Sequence, residues 1–235
     1  MRYQQFTASV LALAIGGTAL MQSYQGAVAA EAATTITSEQ RQVARQVAAL
    51  LDRSHYLDKR MDAKTGKEVL ADYIDALDPN HSLFLQSDVD EFNKKYGDNF
   101  ADYLKRGDLK AGFDIYNRFT QRSNEYYAFA DKFLASKVNL NRNDTVIMNR
   151  EKLPRFNTKT ELQDFWQKQL TFQLIGLTIN QDEEKSKDAF LQANADKYDT
   201  QELVKNEQRT PSQILANRLK RQKGQLERVS SDQIL

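Results

Sequence analysis

Three carboxylates fall close together at Asp88, Asp90 and Glu91, a short way after a His81-Ser82 pair. Such acids could hold Ca²⁺ or divide acid and base roles between them. A serine next to an imidazole also raises the question of a nucleophile and its base. The surrounding residues favour a plainer reading. The acids follow Ser87, with Asp90 three residues on, where the positive end of a new helix favours negative charge. No EF-hand loop, G-x-S-x-G elbow, Ser-x-x-Lys pair, His-Glu-x-x-His motif or Gly-rich phosphate loop is present. With 2 histidines, His55 and His81, and no cysteine, the chain lacks the ligand set of a transition-metal site. No catalytic, cofactor-binding or metal-ligating residue is assigned, and no cofactor is expected.

The elements that carry these residues read as helices. In 235 residues there are only 9 glycines and 3 prolines, while helix-forming side chains are plentiful and 40% of residues are hydrophobic. This composition favours an all-α fold with a substantial core. Val69, Leu70, Tyr73, Ile74 and Leu77 recur at helical steps, and Pro79 then forces Asp78 out of the helix. Leu83, Phe84 and Leu85 form an apolar clamp before the next helix, so Tyr73 to Phe92 is a helix, a buried corner and a helix. Replacing Pro79 or Leu83 should damage packing first.

Met1 to about Ala30 reads as a cleavable signal peptide: Arg2 is its one charged residue, Val10 to Met21 its apolar run, and Ala27-Val28-Ala29 its cleavage pattern. Residues 31–36 form a flexible linker and 37–228 a multi-helix domain. Thr37 with Gln40 starts a helix ahead of Val43, Val47, Leu50 and Leu51, with His55-Tyr56 at its end. A link over 58–66 leads to the corner. Gly97 and Gly107 punctuate short helices, and a long aromatic-rich helix spans 108–136. Asn139, Asn141, Asn143, Asp144, Asn149 and Pro154 mark an irregular Asn-rich loop, a candidate contact surface. Thr158 with Glu161 restarts helix, and Trp166 serves as a core anchor in its apolar stripe. A further start is expected at Asn180, continuing through Phe190, Leu191 and Tyr198 toward Leu203, and another at Thr210-Pro211 with Gln213. Residues 229–235 look like the start of a further helix.

Lys and Arg number 33 against 32 Asp and Glu. Near-balance calls for no nucleic acid partner, and the Arg218, Lys220, Arg221, Lys223 face reads as solvated.

The runs Leu51 to Tyr56 (LDRSHY), Tyr73 to Phe92, Phe113 to Asn117 (FDIYN), Asn143-Asp144-Thr145 and Trp166 resemble, in order and spacing, the N-terminal helical domain of tail-specific, or C-terminal processing, proteases. The corner LDPNHSLFLQSD is the most specific part. The resemblance implies an exported periplasmic serine endopeptidase that acts on proteins with apolar C-terminal tails. In that family the helical region precedes a PDZ domain and a catalytic domain that pairs serine with lysine. This chain ends before both, so it is expected to be inactive alone and to act as a scaffold for them and for an adaptor lipoprotein. A stand-alone periplasmic interaction module is the alternative.

Overall fold

The computed structural model describes residues 36–54, 60–193 and 209–234. The segments expected to be a signal peptide and a linker, up to residue 35, His55-Tyr56 and the Tyr198 to Leu203 stretch lie outside these residues. Among the described residues all regular structure is helical: α1 (Ser38–Ser54), α2 (Ala63–Leu77), α3 (Gln86–Tyr96), a 3-10 turn (Gly97–Asn99), α4 (Phe100–Arg106), α5 (Lys110–Ala135), α6 (Lys159–Ala193) and α7 (Pro211–Ile234).

Two groups of helices share α5. The first packs α1, α2, α3 and α4 around Leu70, Ile74, Phe84, Phe92, Phe100 and Ile115. In the second, α5, α6 and α7 enclose Ala130, Leu134, Leu170, Leu174, Leu215 and Leu219. The long rod expected over 108–136 is therefore buried at different positions against both groups, which accounts for its several apolar faces. Trp166 is 1% exposed and anchors a smaller cluster with Leu85, Leu162 and Phe165.

Several helix starts follow the capping chemistry. Thr37 and Gln40 exchange reciprocal bonds at 3.0 and 3.2 Å, Thr158 and Glu161 at 3.1 and 3.2 Å, and Thr210 and Gln213 at 2.9 and 3.3 Å. Gly107 closes α4 with φ 71°, in the left-handed region. Residues 137–158 contain no helix, and Val146 to Met148 form no strand.

Elsewhere the boundaries move. The α2 helix starts at Ala63, where the Asp62 carboxylate caps the Thr65 amide at 2.8 Å. Gly66 is thus inside the helix rather than in the link. A Cβ there would lie 2.7 Å from the Ala101 amide nitrogen, so glycine permits the close crossing of α2 and α4. On α1 the buried apolar residues are Ala44 and Ala48, beside the buried Gln40, while Leu50 is exposed, because the short side chains form the face nearest α4. The break expected at Asn180 is absent and α6 runs on to Ala193. An exposed asparagine costs a helix little, and no proline interrupts the backbone ladder there. Ser231 likewise continues α7 rather than starting a helix.

Candidate functional site

The corner after α2 is built around the Asp78 carboxylate, whose side chain is 1% exposed. One oxygen accepts from the Ser82 amide at 2.8 Å and the Ser82 hydroxyl at 3.4 Å. The other accepts from the Leu83 amide at 3.1 Å, the Phe84 amide at 3.0 Å and Arg155 Nη1 at 2.6 Å. A carboxyl group buried this deeply needs such a set of donors to satisfy its oxygens. Pro79 ends the helix, as its missing amide requires, and Asp78 then folds the following backbone over its own side chain.

The segment 149–156 holds this turn from outside. Arg155 reaches Asp75 as well, at 2.7 Å through Nη2, and the Arg150 amide donates to the Asn80 side chain at 2.7 Å. His81 sits at φ 49° with Nδ1 2.6 Å from the Leu153 carbonyl and Nε2 3.4 Å from Asp75. Because a carbonyl only accepts, Nδ1 carries the hydrogen. The Arg150 guanidinium lies 3.9 Å from the Phe156 ring centroid, and burial holds its pKa below the ordinary value. The Trp166 indole donates to the Ser82 carbonyl at 2.7 Å. His81 and Ser82 thus turn to different partners, and the serine hydroxyl is bound by Asp78 rather than by the imidazole.

The acidic trio is dispersed. Asp88 is buried, and its Oδ2 accepts from the Leu85 amide at 2.9 Å, so the helix starts at Gln86 with Leu85 at the cap position. This replaces the expected Ser87 and Asp90 cap. The physical reason lies in α5: Arg118 and Arg122 face Asp88 and draw it inward, the latter through 2.9 Å bonds from Nε and Nη2. Burial alone would raise the Asp88 pKa. Hydrogen bonds from Arg122, the Leu85 amide and Arg118 outweigh it and hold the carboxyl below the usual range. Asp90 instead takes a 2.9 Å bond from Gln86, and Glu91 pairs with Arg118 at 3.0 Å. Among the described residues no cluster of His, Asp and Glu could hold a metal ion.

Arg118, Arg122, Arg150, Arg155 and Asp75 were not singled out from the sequence. A signal existed for one pair: Arg118 and Arg122 are four apart on one helix, so they share a face. Arg155 carried none, because its partners lie 77 and 80 positions away. Behind the corner a cavity of about 280 Å³ is lined by Ser82, Leu83, Trp166 and α5 residues including Ser123, whose buried hydroxyl has no hydrogen-bond partner.

These features define a helical domain whose parts are fixed by buried ion pairs around one proline corner. The chain matches the tail specific protease N-terminal domain over residues 47–234, and it belongs to that family. The Tail-specific protease of Haemophilus influenzae is 33% identical over 144 residues, which make up 61% of this chain and 21% of that protein. The matched stretch is therefore a minor part of the relative's length.

Proposed function

We propose that this chain is the helical scaffold and docking domain of a periplasmic tail-specific serine endopeptidase. It positions a PDZ domain and a Ser/Lys catalytic domain, presents a surface to an adaptor lipoprotein, and hydrolyses nothing by itself. Protein substrates with apolar C-termini reach the protease past it. The observation that carries this reading is the family match over 47–234, set beside a relative named as a tail-specific protease that is far longer than the matched stretch. A docking role is supported by Phe172 and Ile179, which stand about half exposed two turns apart on α6. Export is supported by the signal-like pattern of residues 1–30.

The test is complementation. A tail-specific protease lacking the segment equivalent to 47–234 is mixed with this chain, and cleavage of a substrate with an apolar C-terminal tail is followed. Restored cleavage is expected, with none from the chain alone. Failure to bind or restore the truncated protease, or turnover by the isolated chain, would overturn the reading. N-terminal sequencing of periplasmic material should find the chain beginning after Ala29 or Ala30.

A further inference from the structure

The cavity of about 280 Å³ behind the corner lies where α5, α6 and α7 meet Ser82 and Leu83. Phe119, Tyr126 and Tyr127 of α5 and Trp166 of α6 line it with aromatic rings, and Leu83 and Leu226 add aliphatic surface. Tyr126 meets Trp166 edge to face, with ring centroids 5.4 Å apart and planes at 70°. Among the described residues, none of those lining the cavity is charged. Burial pushes the Tyr126 phenol up to about 12 and raises that of Tyr127 as well, so both stay neutral at pH 7.

Ser123 is the odd member of this lining. The residue is 3% exposed, yet its hydroxyl has no hydrogen-bond partner, a state that buried polar groups rarely keep. The polar groups of Ser82 are turned to other partners, the hydroxyl to Asp78 at 3.4 Å and the carbonyl to the Trp166 indole at 2.7 Å. A water placed here would meet mostly aromatic and aliphatic surface, whereas an ordered water needs about two to four polar partners. An ion would lose its hydration and gain no counter-charge. An apolar cavity of about 150 Å³ accepts benzene, so this larger one has room for a ring and a substituent. We propose that the cavity binds a small uncharged aromatic molecule carrying one hydrogen-bonding group, with its ring among Phe119, Tyr126 and Trp166 and its polar atom on the Ser123 hydroxyl. Bound there, it bridges α7 and the corner, which face the cavity through Leu226 and Leu83. This site is independent of the scaffold role.

The probes are benzyl alcohol, its hydrocarbon isostere ethylbenzene, and benzoate, each titrated into the 235-residue chain while the fluorescence of Trp166, its single tryptophan, is followed. Benzyl alcohol and ethylbenzene should give saturable changes. Benzoate should bind at least about tenfold more weakly than benzyl alcohol, because a carboxylate loses its hydration in an uncharged cavity. Ser123→Ala should weaken benzyl alcohol by about fivefold relative to ethylbenzene, the loss expected of one hydrogen bond. The substitution removes no hydrogen bond from the folded chain, so unchanged circular dichroism is expected for the variant. A ratio of the two affinities that does not move on Ser123→Ala would overturn the proposal, since the polar group would then be bound elsewhere. Equal binding of benzoate and benzyl alcohol would overturn it as well. So would the lack of any saturable change, which would leave the cavity to water or to the chain's own side chains.

Discussion

Replacing Asp78 with Asn is the most discriminating perturbation of the corner, because the two side chains have nearly the same shape. The carboxylate accepts from three consecutive backbone amides, Ser82, Leu83 and Phe84, and from Arg155, itself 5% exposed at the side chain. An asparagine can keep one oxygen towards Leu83, Phe84 and Arg155, but its amide group then meets the Ser82 N–H donor to donor. One buried amide is left unsatisfied, at about 1–3 kcal/mol. Removing one charge of a buried pair costs about 3–5 kcal/mol when the other is left alone. Here Asp75 still faces Arg155 at 2.7 Å, which limits that second contribution. The expected net loss is about 3–5 kcal/mol, a large fraction of the roughly 5–15 kcal/mol that holds a typical domain folded. Urea unfolding followed by fluorescence suits the question, since the single tryptophan, Trp166, donates to the Ser82 carbonyl and so reports on the corner itself. Asp90→Asn, at an exposed carboxylate, serves as the control and should stay within about 0.5 kcal/mol of the parent. If Asp78→Asn unfolds within about 1 kcal/mol of the parent, the carboxylate is not the organiser described above.

Asp88→Asn should destabilise the chain at neutral pH, and the gap should close in acid. The folded carboxyl titrates below its unfolded value of about 3.9, so its stabilisation is complete above that pH and disappears as pH falls through the folded pKa; a gap that stays constant from pH 7 to 2 would contradict the ion pair. Gly107→Ala forces a Cβ at φ 71° to within 2.4 Å of the Arg41 carbonyl oxygen, and the melting temperature should drop by more than the ~1–2 kcal/mol of left-handed strain alone implies. Phe84→Ala, at a residue 0% exposed, should cost about 3–5 kcal/mol by urea unfolding. Leu83→Ala, at a half-buried position, should cost less than Phe84→Ala, and the reverse order would misplace both side chains.

Much of the fold was legible because its signals are local. The capping pairs Thr37/Gln40, Thr158/Glu161 and Thr210/Gln213, the proline corner and the left-handed Gly107 each depend on residues within a turn of one another. The errors arose where a local signal competed with a distant one. Ser87 and Asp90 make a plausible cap in isolation, but Asp88 is drawn inward by two arginines about thirty positions away, and the helix starts earlier. At Asn180 a residue that suits a helix start sits inside α6, because nothing there breaks the backbone ladder. The resemblance to tail-specific proteases was carried by the same corner, LDPNHSLFLQSD. The partners that fix it, Arg150 and Arg155, sit in the irregular segment where periodicity offers no guide.

The two buried acids divide the work of fixing the corner. Asp78 binds the end of α2 to residues 150–156, while Asp88 binds the start of α3 to α5. Buried ion pairs add little net stability compared with well-packed apolar side chains, because desolvation consumes most of the attraction. What they do impose is direction: a guanidinium satisfies a carboxylate only within narrow limits of angle and distance. Apolar contacts between α2, α3 and α5 would tolerate sliding, whereas the Asp88 contacts with Arg118 and Arg122 admit one register. The scaffold role proposed above would need that register more than extra stability, and the placement of both acids at the ends of the same corner supplies it.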